Sequence, residues 1–521
     1  MFSEEPFKPP FFSIVDMVRL HGQSRPEDIA FMDRDTALTW KEFDEEINQL
    51  ANALHQQGLK IGERVAVLTG NSLWAYKIIF GVLRAGGVIC PLSGLLTSDI
   101  LSGLVQDCDA RFFFVEEDYR ELGEETFRNA STVMQRSPNR VFESAYGEFI
   151  ASYERTDPGI EILPDDRCNV IYSSGTTGIP KGIVHSHGAR VGFAAEMGLG
   201  LRVHSHSRTL VTTPPSSNGA WLVFLPTVMV GATTITVGAF SGDALVNVLK
   251  EKQPTHGFMV PTQMRALLEH PVHKDINVEK LECIVSSGAP IPQATKLAIR
   301  EFTGEKLFEL YGFSESVGTI ISPREMQDHP DSVGRPWMGC ELRIVDDTGK
   351  DITGKGVGEI VGRTISMMEG YLNRLDASRD LLWRDDNGDV FFRTGDLGEI
   401  VENGYLYVRG RAKDMIISGG LNIFPVDIEA IMLQHAAIKD VSVVGITDEK
   451  WGETPVGFVV LHSSALELGV TEDDIKIWIN EKLAKFQRLS AIVLQENDFP
   501  RNALGKVLKN QLKENYESKL L

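Results

Sequence analysis

Apolar positions along the chain follow two alternating periods. Between residues 36 and 57 they fall at Phe43, Ile47, Leu50, Ala51 and Leu54, a helical spacing that Gly58 is placed to cap. Arg64-Val65-Ala66-Val67-Leu68 is a short apolar run and reads as a strand. Ser72 to Ala85 returns to the helical period and stops at Gly86-Gly87. Val88-Ile89-Cys90-Pro91 and Arg111-Phe112-Phe113-Phe114-Val115 are strands again. Strands that are apolar on every residue are covered on both faces, so the alternation predicts an α/β fold with parallel sheets. It is expected to continue to about residue 400, with hairpin turns at Asn387-Gly388 and Asn403-Gly404. Past Arg411 the pattern becomes a shorter α+β segment. Ile428 to Leu433 reads as a helix, Val441-Ser442-Val443-Val444 and Val456 to Leu461 as strands, and Asp473 to Leu483 as a helix. The chain therefore divides into a large N-terminal region, 1–411, and a small C-terminal domain, 412–521, with the boundary in the charged stretch Gly410-Arg411-Ala412-Lys413-Asp414.

Thr209 to Phe240 contains no charged residue and is long enough to span a bilayer. Pro214, Pro215, Pro226, Ser216, Ser217, Asn218 and several threonines interrupt it, so it reads as a buried helix between buried strands and not as a transmembrane segment. The 521 residues exceed one ordinary core. A formal net charge of −20 argues against a nucleic-acid partner, because phosphates require a basic face, but leaves ATP open. The five cysteines are scattered without a CxxC pair, which predicts reduced thiols in a cytoplasmic protein. No basic n-region precedes an apolar run at the N-terminus, and Ser-Lys-Leu stands one residue short of the C-terminus, so no address is expected from either end.

The stretch Ile171 to His187 reads IYSSGTTGIPKGIVHSH. Ser173, Ser174, Gly175, Thr176, Thr177 and Gly178 are small or hydroxylated, and Pro180, Lys181 and Gly182 follow. Glycines let backbone N–H groups converge on a phosphate, hydroxyls add donors, and the lysine adds a point charge. It is not a Walker A loop, which ends in Gly-Lys-Ser/Thr. The run resembles the phosphate loop of the adenylate-forming superfamily, which comprises acyl- and aryl-CoA synthetases, adenylation domains and beetle luciferases. Further motifs in the same order extend the resemblance from about Phe7 to Leu512. Tyr311-Gly312-Phe313-Ser314-Glu315 resembles the family's Tyr-Gly-x-Ser/Thr-Glu motif, which implies an adenine-stacking Tyr311 and a Mg²⁺ site at Glu315 with Thr176. Ser287-Gly288-Ala289-Pro290 resembles the segment that passes the adenine. Arg393-Thr394-Gly395-Asp396 resembles the Thr-Gly-Asp motif, which with Arg411 implies ribose contacts, and Lys413 stands at the family's hinge. Ser418-Gly419-Gly420-Leu421-Asn422-Ile423 and Trp451-Gly452-Glu453 are similar to segments around the family's pantetheine tunnel, and Lys506 matches the lysine that catalyses adenylation.

The resemblance implies a two-domain adenylate-forming (acyl-CoA synthetase-like) fold, a large α/β region carrying a small mobile α+β domain. It implies ATP, Mg²⁺ and coenzyme A as cofactors and two half-reactions served by domain rotation. The chain departs from the family where many members carry Pro-Leu-Phe-His ahead of a glycine. Here Thr213-Pro214-Pro215-Ser216-Ser217-Asn218-Gly219 stands instead, with Ser216 or Ser217 in the gate's place, so a carboxylate channel wider or more polar than the family's is expected. A second departure, Lys485 to Ser490, replaces a frequent Lys-x-Pro pattern. No Asp or Glu lies between Met197 and Gly242 to pair an α-ammonium, so a fatty, branched or aryl acid is expected over an α-amino acid. Ser216, Ser217, Asn218, Trp221, Phe240 and Gly312 are the expected acyl pocket, although Trp221 and Phe240 equally suit a core. The pairs His185/His187 and His204/His206 have no further ligand at metal spacing and read as non-metal. Three rivals stay open: loading of a carrier-protein phosphopantetheine, a phosphotransferase that releases ADP, and a nucleotide-binding module without turnover. A homodimer is equally left open.

Overall fold

The continuous apolar runs become the central strands of two large sheets in the computed structural model, which describes residues 10–34, 36–173, 180–463, 465, 468–501 and 507–520. In a seven-stranded sheet, Arg167–Ser173, Val88–Ser93, Arg64–Thr69, Phe112–Val115 and Asn139–Phe142 run parallel in that spatial order. Lys181–Ser186 and Gly370–Tyr371 extend it antiparallel on the side of Arg167–Ser173. A nine-stranded sheet has a parallel centre from Leu307–Gly312 through Cys283–Ser286, His256–Phe258, Arg208–Val211 and Thr233–Thr236 to Ile29–Asp33.

Helices Leu73–Arg84 and Asn218–Val230 lie in the main core cluster between these sheets. There Tyr76, Phe80, Trp221 and Phe224 join Val67 of one sheet and Phe31 and Val211 of the other. The helix Asn218–Val230 is apolar on every face because it is covered on every face, which accounts for the uncharged stretch. Among the described residues no helix is long and apolar enough to cross a membrane.

The predicted helix over 36–57 is Trp40–Gln56 behind a short strand Thr36–Thr39. Thr39 caps it reciprocally with Glu42, and Gly58 follows at φ +88°. One expectation is corrected. Parallel pairing ends with Leu307–Gly312 and does not run to residue 400. Cys340–Val345, Gly358–Thr364, Val390–Ile400, Leu382–Arg384 and Leu406–Arg411 form a separate antiparallel sheet. The reason lies in the side-chain period. Leu342 and Ile344 point inward while Glu341 and Arg343 pair with each other on the wet face, the two-residue alternation of a half-covered sheet.

After Arg411 the chain makes a short turn, Ala412–Asp414, and enters a fourth sheet built from Ile416–Ser418, Leu421–Ile423, Ile438–Asp448, Gly452–Leu461 and Ala491–Gln495. Its core, around Ile428, Val443, Val459 and Ile475, is separate from those of the large region. The last predicted helix is shorter than expected, Glu472–Asn480, because the Thr471–Asp474 capping box starts it and Leu483 packs from beyond its end.

Candidate active site

The strand Leu307–Gly312 carries Tyr311 at its carboxyl end and turns back at once into Gly318–Ile321, with Gly312 opposite Gly318. A Cβ on Gly318 would lie 2.0 Å from the Tyr311 carbonyl oxygen, so this hairpin closes only without a side chain there. The Tyr311 hydroxyl donates to Asp396 Oδ2 at 3.0 Å. Burial first, then the Asp396 carboxylate, hold that hydroxyl far above its ordinary range, so it stays a donor. Asp396 faces Arg411 across the antiparallel pair Val390–Ile400 and Leu406–Arg411, and Arg411 Nε lies 3.2 Å from Asp396 Oδ1. Gly395, at φ +71°, makes the turn that presents the carboxylate, and Thr394 Oγ1 accepts from the Asp396 N–H at 3.1 Å. Gly288 and Ala289 follow Cys283–Ser286, the parallel neighbour of the Tyr311 strand, and so sit at the same end of the sheet.

Glu315 lies at the tip of the hairpin and accepts from the Tyr371 hydroxyl at 2.7 Å. Tyr371 belongs to the short strand beside Lys181–Ser186, and Lys181 Nζ stands 5.0 Å from the centre of its ring. Burial raises the Glu315 carboxyl above its usual range, while the Tyr371 hydroxyl, Arg411 and Lys181 oppose it. His185 pins this hairpin to the strand Lys181–Ser186. Its Nε2 is 2.9 Å from the Ser314 carbonyl, and burial with the nearby Arg190 charge holds the ring neutral, so Nε2 donates. Ser173 and Lys181 face each other where the strands Arg167–Ser173 and Lys181–Ser186 meet the segment 174–180. Ser174, Gly175, Thr176, Thr177 and Gly178 lie outside the described residues, as does Lys506. Among the described residues no three His, Cys, Asp or Glu side chains converge. The Glu315 carboxylate suits a Mg²⁺ ion, which takes one or two carboxylates with phosphate oxygens and water as its other ligands.

At the expected acyl gate, Ser217 caps Asn218–Val230 and accepts from the Gly219 N–H at 3.2 Å. Trp221 is fully buried and donates Nε1 to the Pro215 carbonyl at 2.8 Å, which ties Ser216 and its neighbours to the first turn of the helix. Phe240, 39 % exposed, stands outside the buried cluster that holds Trp221. Two residues that sequence reasoning passed over occupy the site. Tyr371 comes from a two-residue strand too short to show a period. Arg190 lies on helix His187–Gly200 and reaches Asn218 Oδ1 with Nη1 at 2.9 Å. Its signal was a charge in the helical stripe otherwise formed by Phe193, Ala194 and Met197, all buried.

In the small domain Gly419 and Gly420, at φ +58° and +81°, turn the hairpin between Ile416–Ser418 and Leu421–Ile423. The Trp451 ring lies so close over Gly419 that a Cβ there would come within 2.9 Å of it, and half of Trp451 is exposed. Lys413 sits in the turn Ala412–Asp414, two residues past Arg411, where burial lowers its ammonium pKa.

A family model described as AMP-binding enzyme matches residues 18–372, and one described as AMP-binding enzyme C-terminal domain matches 427–506. The long-chain-fatty-acid–CoA ligase FadD13 of Mycobacterium tuberculosis is 29 % identical over 490 residues, covering 93 % of this chain and 94 % of its own. The fatty acid–[acyl-carrier-protein] ligase ScoC of Streptomyces coeruleorubidus is 27 % identical over 521 residues, covering 98 % and 97 %. Among solved structures, ATP-bound MatB from Rhodopseudomonas palustris superposes with a TM-score of 0.87 at 25 % identity, over 98 % of this chain and 100 % of that one.

Proposed function

The chain belongs to the AMP-binding enzyme family, and we propose that within it this protein is an ATP-dependent carboxylate–CoA ligase. A carboxylate is a poor electrophile. Its oxygen attacks the α-phosphorus of ATP and expels pyrophosphate, and the acyl-AMP so formed carries AMP as a good leaving group. The CoA thiolate then attacks the acyl carbon and releases AMP. The observation that carries the reading is the meeting of Tyr311, Asp396 and Arg411, brought from three segments to one point beside Glu315.

Asp396, held by the tyrosine hydroxyl and the arginine, is placed to accept the ribose hydroxyls. Gly288 and Ala289 supply backbone against the adenine. The loop 173–178 and Lys181 cradle the phosphates. Glu315, with Thr176, holds Mg²⁺, whose charge offsets that of the phosphates. Lys506 neutralises the approach of the two anions in the first step, and the Gly419-Gly420 turn with Trp451 lines the path of the pantetheine arm in the second. The change of sheet at 411/412 supports the two-domain division, with Lys413 as hinge. The acid has a fatty, branched or aryl body. No acidic side chain lies between Met197 and Gly242 to receive an ammonium.

Carboxylate-dependent ATP–pyrophosphate exchange without CoA tests the reading. Exchange with an organic acid is the expected result, and ADP release in its place would identify a phosphotransferase. The similarity to ScoC favours a second acceptor, a carrier-protein phosphopantetheine. Discharge of the acyl-AMP by free CoA separates the two acceptors.

A further inference from the structure

Arg190 is fully buried and forms no ion pair among the described residues. Its Nε donates to Asn169 Oδ1 at 2.6 Å and its Nη1 to Asn218 Oδ1 at 2.9 Å, while Nη2 is buried with no acceptor. The guanidinium lies 4.6 Å from the Trp221 ring centre and 5.7 Å from that of Phe193. Two amide oxygens orient the fork without neutralising it.

A further donor beside it is unanswered: Asn169 Nδ2 is buried without a partner. Asn218 opens the thirteen-residue helix Asn218–Val230, whose first N–H groups add the positive end of a helix dipole. A buried charge is costly unless paired, and a guanidinium does not shed its proton near neutrality. The site therefore holds one positive charge and a surplus of donors beside the acyl gate, against aromatic walls that exclude water.

We propose that this donor set receives a second carboxylate, so that the acid activated here is a dicarboxylic acid. One carboxylate reacts at ATP while the distal one accepts from Arg190 Nη2. The fork geometry matches a carboxylate, and the two asparagines pre-set its orientation. An acid that ends in a methyl group leaves the guanidinium buried and unpaired, so Arg190 determines specificity. The inference rests on the ligase reading and refines its substrate class.

ATP–pyrophosphate exchange is measured with matched pairs, adipate against hexanoate and isophthalate against benzoate. For the pair whose skeleton fits, the wild type should favour the diacid in kcat/KM by about a hundred-fold or more. Arg190→Met should lower that ratio at least ten-fold, and Arg190→Lys, which keeps the charge, should retain more of it. A purely structural arginine would change the amount of folded enzyme and leave the ratio alone. A wild type that uses the monoacids as well as or better than the diacids overturns the proposal, whether or not Arg190→Met folds. So does an Arg190→Met enzyme with an unchanged ratio. Exchange with none of the four acids, in protein that binds ATP, brings down the ligase reading and this inference with it. Exchange confined to the monoacids brings down the inference alone.

Discussion

Glu315 is a carboxyl pulled in two directions. Burial favours its neutral form, and the Tyr371 hydroxyl leads the groups that favour its charged form. On the proposed Mg²⁺ role Glu315 must be ionised, so loss of its proton should set an acid limb in the pH profile of exchange, above the ordinary carboxylate range. Tyr371→Phe removes a donor to the charged form. The limb should move to higher pH and the Mg²⁺ requirement should rise, while activity well above the limb falls less; an unmoved limb would detach Tyr371 from the metal site. His187 supplies a stability counterpart. Burial holds its imidazole down to about 4. Between the ordinary 6.5 and that value the unfolded chain takes up a proton that the folded chain refuses, so stability falls as pH drops through this window. The loss from this one group reaches about 3 kcal/mol at its lower end. Thermal unfolding at pH 7 and pH 5 should therefore show a drop in midpoint that His187→Gln reduces. At this scale Tyr311, Asp396, Arg411 and Glu315 were legible because each stands in or just after a short motif of consecutive residues, although their partners lie far along the chain. Tyr371 and Arg190 were not legible, because what gives them a role is a neighbour 56 or 28 residues away.

The hairpin of Tyr311 and Glu315 shows how an element limits which glycines can change. Gly318 has no room for a Cβ, with the Tyr311 carbonyl oxygen 2.0 Å from where it would sit. Gly288 faces open space and needs a glycine only for its φ of +94°. Gly288→Ala should cost about 1 kcal/mol of backbone strain. Gly318→Ala must move backbone, and should cost more than about 3 kcal/mol and weaken ATP binding as Tyr311 and Glu315 shift. Thermal unfolding and ATP binding of the two variants, side by side, check the order, and a Gly288→Ala chain that loses more than Gly318→Ala would contradict it. Element types were legible wherever the apolar period was long, as at Trp40–Gln56 and the all-apolar strand Phe112–Val115. The switch from parallel to antiparallel pairing after Gly312 was less so. Strand direction depends on which strand lies alongside, and only the alternation of Glu341, Leu342, Arg343 and Ile344 hints that one face is wet.

At the scale of the whole molecule, the ligase reading asks one site to perform two chemistries that need different groups. Asp396 and Arg411 sit on the large region, Arg411 two residues before Lys413, while the Gly419-Gly420 turn and Trp451 sit on the small one. A short connection between two separate cores can reorient with few φ/ψ changes, and on the proposed reading Gly420 and Lys506 would then take turns at the acyl phosphate. Two variants separate the steps. Gly420→Leu adds bulk where a Cβ meets nothing within 4 Å, so the fold bears it at the cost of one strained φ. It should keep ATP–pyrophosphate exchange and lose transfer of a preformed acyl-AMP to CoA. Lys506→Ala should do the reverse, with exchange reduced by a hundred-fold or more, roughly the loss of one preorganised charge, and transfer from acyl-AMP retained. Opposite losses require that each end of the small domain serve one half-reaction. Equal loss of both half-reactions in folded Lys506→Ala would mean that a single arrangement performs the whole reaction, and that Lys413 is a linker and not a hinge.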